Sequence, residues 1–383
     1  MVSHINHTES NIIPKYYQLK KLLLNEIQSG KYSIHSKLPS ESELRKKYKI
    51  SGGPIKRAIN ELAREGIVYT IQGKGCFVSP TISKSDIKIA KDNKRIIFIT
   101  NSVLHEFNAP ILKGILRITQ SKGYNLEVYD SEGCYSSEIQ ILSKLLKENI
   151  SGLIFVPTYY NYSYRHLLQL KKRNVPIVLI NRYIKNDDFN FVGINDVKSA
   201  KNAVKYLIKL GHKKIVFIGI ENPERYTFVK DRLEGYKQAL KENKIKIDPN
   251  LIFINENKKE KYKRSAKENY NFEQLKKYLS KDDIEYTSIF AVNDSAAMAS
   301  YWILKEKGIK VPDEVSIIGF DDLNESKHFE VPLTTVKQDT YYIGYTAAKL
   351  LLENINNKMN KLIPKKILLN TKLVIRKSVR QIK

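Results

Sequence analysis

Arg95-Ile-Ile-Phe-Ile-Thr100 and Lys214-Ile-Val-Phe-Ile-Gly219 are near-copies of one short apolar run within a chain of 383 residues. In each, a cation opens the run and a small residue closes it. An uninterrupted apolar run of this length suits a strand buried on both faces. The downstream sequence repeats as well, with Gly114-Ile-Leu-Arg-Ile-Thr119 echoed by Gly235-Tyr-Lys-Gln-Ala-Leu240. Around the first copy the pattern predicts strands at 96–100, 125–129, 152–156 and 177–180. Helices are expected between them at 111–122, 138–148 and 167–173. Strands alternating with amphipathic helices imply an α/β fold, a parallel sheet covered on both faces. Two such halves in tandem imply two doubly wound lobes facing a cleft, with a ligand beyond the carboxyl ends of the strands.

The first eighty residues read differently. Tyr16, Leu19, Leu23 and Ile27 recur at helical steps, and Gly30 ends that helix. In Lys37-Leu-Pro-Ser-Glu-Ser-Glu-Leu44, Ser40 and Glu43 form a capping box that starts a second helix, which reaches about Tyr48. After Lys49-Ile50, Ser51 can cap a third helix that runs to Glu65, where Gly66 stops it. Residues 67–71 and 76–78 form a hairpin around Gln72-Gly-Lys-Gly75. Two helices joined this tightly, followed by a hairpin, describe a winged helix-turn-helix whose later helix enters the major groove of DNA. The expected organisation is a DNA-binding domain at 1–78, a polar linker at 79–94 and a two-lobed effector-binding and dimerisation domain at 95–383.

Composition narrows the function. The net charge is +26 and the pI near 9.6, which favours a polyanionic partner such as nucleic acid. Lysine-rich bias accounts for part of that excess, but residues 1–80 hold thirteen Lys/Arg against six Glu and no Asp. Two cysteines, Cys76 and Cys134, give neither a disulfide framework nor a cysteine zinc site. No apolar run is long enough to span a membrane, and residues 1–11 lack the apolar core of a signal peptide, so a cytoplasmic location is expected. GxGxxG, P-loop, HExxH and GxSxG motifs are absent. The seven histidines are scattered; His105 beside Glu106 could imitate an acid–base pair, but no nucleophile motif accompanies it. No enzyme, catalytic residue, cofactor or metal is expected.

Ordered motifs carry two resemblances. Pro14-Lys-Tyr-Tyr-Gln-Leu19, Leu38-Pro-Ser-Glu-Ser-Glu-Leu44, Ala58-Ile-Asn-Glu-Leu-Ala-Arg-Glu-Gly66 and Gln72-Gly-Lys-Gly-Cys-Phe-Val78 resemble the DNA-binding domain of the GntR family. Lys15, Lys56, Arg57, Gln72, Gly73 and Lys74, with the cap residues Ser40 and Ser51, are the expected DNA-contacting set. For Lys15 a solvated lysine, and for Gln72 a turn-stabilising role, stand as the plainer alternatives. The family's reading helix usually opens Val-Ser-Arg-x-Thr-Val-Arg; here the chain has Ile50-Ser-Gly-Gly-Pro-Ile-Lys56. Gly52 and Pro54 remove side chains that could fork onto guanine or phosphate. Restoring one with Gly52→Arg is expected to tighten DNA binding.

Phe191-Val-Gly-Ile-Asn-Asp-Val-Lys-Ser-Ala200, Asp231-Arg-Leu-Glu-Gly-Tyr236, Ser288-Ile-Phe-Ala-Val-Asn-Asp-Ser-Ala-Ala297 and Ser316-Ile-Ile-Gly-Phe-Asp-Asp322 resemble the effector domain of the LacI/GalR family. Asn195-Asp196 stands where that family usually has Asp-Asn. A GntR-type reader joined to a LacI-type sensor is similar to the arabinose repressors of Gram-positive bacteria. The resemblance implies a homodimeric regulator of double-stranded operator DNA whose effector is L-arabinose or a related pentose. Xylose, another sugar or a purine is the alternative effector, and a solute-binding protein the alternative class. Carboxylates accept from sugar hydroxyls, arginines donate to them and aromatic faces cover C–H surfaces. Arg232, Asp294 and Arg182 match effector positions of the family. Asn293, Phe107, Glu106 and Thr158 complete the expected set. An ion pair between Arg232 and Asp294 is the competing structural role, and Asp321 is expected at a turn or hinge.

Overall fold

Leu19, Leu23 and Ile27 fall on the buried stripe of α1 (Lys15–Gln28) in a computed structural model. The structure describes residues 14–80, 94–159, 162–184, 189–219, 223–224, 226–255, 272–281, 284–356 and 363–382. Most of the expected linker, and residues 1–13 of the expected DNA-binding domain, lie outside the described residues. The chain divides into two units, Met1–Lys94 and Arg95–Lys383.

In the first unit, α2 (Glu41–Tyr48) starts at the expected capping box. The Ser40 hydroxyl accepts from the Glu43 amide, and the Glu43 carboxylate accepts from the Ser40 amide at 2.7 Å. Lys49 then takes the left-handed conformation that ends the helix. Helix α3 (Gly52–Arg64) buries Ile55, Ala58 and Leu62 against α1, and Pro54 sits in its first turn, where no intrahelical donor is needed. Ser51 holds the N-cap position of α3 without a side-chain cap bond, so only half of that expectation is met. Lys20 on α1 is buried and bonds Glu61 at 3.2 Å and Glu65 at 2.6 Å, which clamps α1 to α3. Strands β1 (Val68–Ile71) and β2 (Gly75–Val78) pair antiparallel around the turn.

The second unit contains two six-stranded sheets. The first begins with β3 (Arg95–Thr100), α4 (Asn108–Ser121), β4 (Asn125–Asp130), α5 (Tyr135–Leu145), β5 (Gly152–Phe155), α6 (Tyr164–Lys172), β6 (Ile177–Ile180) and β7 (Asn190–Ile194). The chain then leaves through α7 (Asp196–Lys209) and builds the second sheet. That half comprises β8 (Ile215–Gly219), α8 (Thr227–Glu242), β9 (Ile252–Ile254), α9 (Phe272–Leu279), β10 (Ser288–Ala291), α10 (Asp294–Glu306), β11 (Ser316–Asp321), α11 (Asn324–His328) and β12 (Thr334–Lys337). Helix α12 (Thr340–Asn356) returns to pack on α4. Strand β13 (Lys366–Leu369) then joins β7, and β14 (Lys372–Val374) joins β12. The strand orders are β13-β7-β6-β5-β3-β4 and β14-β12-β11-β10-β8-β9, parallel except for β14. The chain therefore passes between the lobes three times, which ties them into one unit with a cleft between them. Among the described residues, no helix is long and apolar enough to cross a membrane.

The repeated glycines explain how closely the helices pack. A Cβ on Gly235 of α8 would lie 2.3 Å from the Val197 carbonyl oxygen of α7. A Cβ on Gly114 of α4 would lie 2.2 Å from the Tyr341 carbonyl oxygen of α12, and one on Gly344 of α12 would lie 2.0 Å from that of Ile111. These neighbours are backbone and cannot rotate aside. Gly344→Ala is therefore expected to force α4 and α12 apart at a cost of roughly 1–3 kcal/mol, measurable as a lower midpoint in denaturant unfolding of the full chain.

Candidate effector cleft and DNA-reading head

A cavity of about 920 Å³ opens where the carboxyl ends of the two sheets face each other. Asn101 follows β3, Thr158 follows β5, and Asn181 and Arg182 follow β6. From the other lobe come Asn293 after β10, Asp321 at the end of β11 and Gln338 after β12. This is where open parallel sheets bind ligands, because side chains at strand ends can converge without disturbing the ladder.

The floor is charged and largely buried. Arg232 on α8 is 4% exposed. Its Nε donates to Asp196 at 2.7 Å, its Nη1 donates to the Val292 carbonyl at 2.5 Å, and Asp321 lies 3.6 Å away. The guanidinium also lies 3.5 Å from the ring centre of Phe320 and 5.1 Å from that of Phe228. Gln338 donates to Asp321 at 2.7 Å. Burial pushes the Asp321 carboxyl up to about 6, while Arg232 and Gln338 pull it down. Burial likewise raises Asp196 against the pull of Arg232.

The walls combine rings and unmet polar capacity. Phe107, Tyr159, Tyr226, Phe228, Trp302 and Phe329 line the cavity. Arg182 donates to the carbonyls of Pro157 at 3.0 Å and Thr158 at 2.7 Å, and its guanidinium lies 5.0 Å from the Tyr226 ring centre. Asn181 and Asp321 have φ values of 61° and 119°, left-handed conformations that non-glycine residues rarely take. The Asn181 Oδ1 is buried without a hydrogen-bond partner, so it is free to accept one from a hydroxyl.

Of the expected effector residues, Phe107, Thr158, Arg182, Arg232 and Asn293 line this cavity. Two do not. Asp294 is fully buried behind the wall, where its carboxylate accepts from the Leu323 amide at 2.8 Å and Thr335 Oγ1 at 2.5 Å. Burial, with Asp321 repelling it, pushes its carboxyl up to about 8. Glu106 faces a smaller adjoining pocket of about 230 Å³, and its carboxylate accepts from the Asn324 amide of the opposite lobe at 2.5 Å. The partner of Arg232 is Asp196, not Asp294. Asp321 has both a turn-like backbone and a place in the wall.

The sequence reading missed Asn101, Asn181, Asp196, Trp302, Phe329 and Gln338 as cavity residues. The strand ends at Thr100 and Ile180 pointed to the two asparagines, and the chain's only tryptophan pointed to α10. Among the described residues, no group of three or more His, Cys, Asp or Glu is placed to hold a metal ion.

In the first unit Lys15, Ser40, Ser51, Lys56, Arg57, Gln72, Gly73 and Lys74 are all exposed. Arg57 is partly engaged: its guanidinium lies 3.9 Å from the Tyr16 ring centre and 3.6 Å from Glu61. Gly73 and Gly75 have φ of 76° and 114°, so the hairpin tip needs glycine for its backbone. The space beside Gly52 is occupied. A Cβ there would meet Glu41 Oε1 at 2.4 Å and Arg45 Nη2 at 2.6 Å. An arginine at 52 must displace that pair before it reaches anything else.

Residues 15–78 match the family of bacterial regulatory proteins of the GntR type, and residues 204–379 match a periplasmic binding protein-like domain. The arabinose metabolism transcriptional repressor of Halalkalibacterium halodurans is 30% identical over 96% of this chain and 97% of its own. The chain belongs to the family of these repressors. That of Geobacillus stearothermophilus is 28% identical over 97% and 99% of the two chains. The crystal structure of the transcription regulator CcpA of Lactococcus lactis superposes with a TM-score of 0.64, at 24% identity, over 75% of this chain and 99% of its own; that likeness supports the two-lobed fold. The chain is thus a transcriptional repressor with a GntR-type head and a LacI-like effector domain, and not an enzyme.

The buried carboxyls give this repressor a pH signature. Asp294 and Asp321 keep protons in the folded chain that the unfolded chain releases near pH 4. Between about pH 4 and pH 8 the folded state binds more protons, so these groups make stability fall as pH rises through that window. Asp294→Asn is expected to flatten that fall, which equilibrium unfolding at about pH 5 and about pH 8 will measure.

Proposed function

We propose that the chain binds operator DNA as a homodimer through its winged heads and that a pentose, L-arabinose or a close relative, occupies the cleft and releases it. The observation that carries this reading is the composition of the cavity. Hydroxyl-binding groups (Arg182, Asn181, Asn101, Asp321 and Asn293) line the same space as the aromatic faces of Phe107, Tyr226, Phe228 and Trp302. A sugar needs both, in-plane partners for its hydroxyls and a flat apolar cover for its C–H faces. The names of the two relatives, as regulators of arabinose metabolism, favour a pentose.

The mechanism is a shift of population. The lobes are joined by three crossings and by contacts across the cleft, such as Glu106 with Asn324 and Tyr183 with Asp231 at 3.0 Å. A ligand touching both lobes favours the arrangement in which its contacts are simultaneously made. It can change DNA affinity only by its differential binding to the two arrangements, typically ~1–3 kcal/mol of coupling.

A mobility shift of promoter DNA from sugar-utilisation genes, with and without L-arabinose, D-xylose, hexoses and purines, tests this. One pentose is expected to release the DNA, and equal retention across the whole panel would defeat the sensor half of the reading. Two further outcomes follow from the geometry. Trp302, the chain's sole tryptophan, lies in the cavity wall half exposed, so effector binding is expected to shift its fluorescence emission. Arg182→Ala is expected to weaken effector binding about tenfold or more in calorimetric titration, the usual loss for a hydrogen bond from a charged group.

A further inference from the structure

The first turn of α3 has no side chain with which to read DNA. In a helix-turn-helix the N-terminal residues of the second helix point at base edges. Here those residues are Gly52, Gly53 and Pro54, and none carries a side-chain donor. Yet the space beside Gly52 contains a guanidinium. Arg45 projects from the last turn of α2, and its Nη2 lies 2.6 Å from where a Cβ of residue 52 would be. The glycine is what makes room for it.

We propose that Arg45 takes over the groove-reading position at the start of α3, with Gly52 serving as its seat; this rests on the reading of the first unit as a DNA-binding head. The charges around it fit. Arg45 is held by Glu41, one helical turn back, at 3.5 Å, and its side chain remains 60% exposed. An exposed pair of this kind contributes little to folding, so it orients the guanidinium without locking it. A duplex repels Glu41 and attracts Arg45, and the exchange of one partner for the other costs the head little. The other cations near this end of α2 are placed differently. Lys47 is bonded to Glu26 at 2.8 Å, and Lys46 is exposed without occupying the Gly52 site. Arg45 alone combines a planar five-donor fork with that position, the geometry that suits guanine or phosphate.

The inference changes what is expected of position 52. Gly52→Arg alone places two guanidinium groups and Glu41 in one space, so it gains no affinity. In an Arg45→Ala background the same substitution supplies the missing fork.

The test uses the full chain and a duplex enriched by the wild-type protein from a random-sequence library. Arg45→Ala is expected to weaken binding to that duplex about tenfold or more. It is expected to leave the far-ultraviolet circular dichroism and the Trp302 response to sugar unchanged. Gly52→Arg/Arg45→Ala is expected to recover much of the loss, and Glu41→Gln to bind at least as tightly as the wild type. The salt dependence then sorts the contact. A slope reduced by about one marks a phosphate, and relaxed preference at one base pair marks a base edge. Arg45→Ala binding as tightly as a binding-competent wild type overturns the inference and leaves the repressor reading standing. A wild-type protein that enriches no duplex and binds DNA without sequence preference overturns both.

Discussion

A guanidinium taken out of water has to be met on every side, and Arg232 is met by the segment that leaves the first sheet as well as by the strand ends of the second. Asp196 begins α7, the segment by which the chain leaves the first sheet. Val292 follows β10, Asp321 ends β11, and the ring of Phe320 covers one face of the group. Removing such a charge from water costs several kcal/mol, which a single partner does not offset. The floor of the cleft is therefore a mutually dependent set. Asp196 and Asp321 are tolerable at low exposure because Arg232 lies between them, and Arg232 because of them. The first passage between the lobes is pinned at the point where a ligand would sit.

That constraint accounts for the strained backbone nearby. Asp321 has to turn its carboxylate toward Arg232 and Gln338 at the last residue of a strand, and it does so at φ 119°. Asn181 has the same kind of conformation at the end of β6 and keeps a buried acceptor unmatched. Strain and an unsatisfied acceptor at facing strand ends are costs a folded chain keeps where a ligand repays them. Asp294, one residue into α10, is satisfied internally by Leu323 and Thr335. It connects α10 to β11 and β12, so it shapes the wall from behind.

The architecture was legible because it depends on period and on punctuation. The apolar runs at 96–99 and 215–218, the box at Ser40–Glu43 and the stop at Gly66 are local signals, and the corresponding elements form where those signals place them. The repeated glycines were legible as a repeat, but not as what they are, points where two helix backbones nearly touch. The site was legible only in part. A strand end marked Arg182 and the family match marked Arg232, which lies within α8, whereas the partner of Arg232 depended on which neighbour of Asn195 faces inward. Asn195 caps α7 through Lys198 and leaves Asp196 for the arginine. Adjacent residues at a helix start diverge by a large rotation, so a one-residue choice exchanges a cap for a cleft residue. Trp302 and Phe329 come from helices and loops of the second lobe that no strand-end rule covers.

The head shows the opposite relation between sequence and contact. Read along the chain, Gly52-Gly53-Pro54 is a deletion of function. In three dimensions the same residues are an opening, because the side chain that fills the volume beside position 52 comes from seven residues earlier. A helix-turn-helix holds its two helices within side-chain reach of each other, so the chemistry at the first turn of the later helix belongs to both. Residue-by-residue comparison counts the lost arginine at 52 and overlooks the one at 45, since only the turn through Lys49 and Ile50 brings them together. A position in the groove is thus defined by the volume a side chain reaches, and the head can keep a cation there while its reading helix begins with glycine.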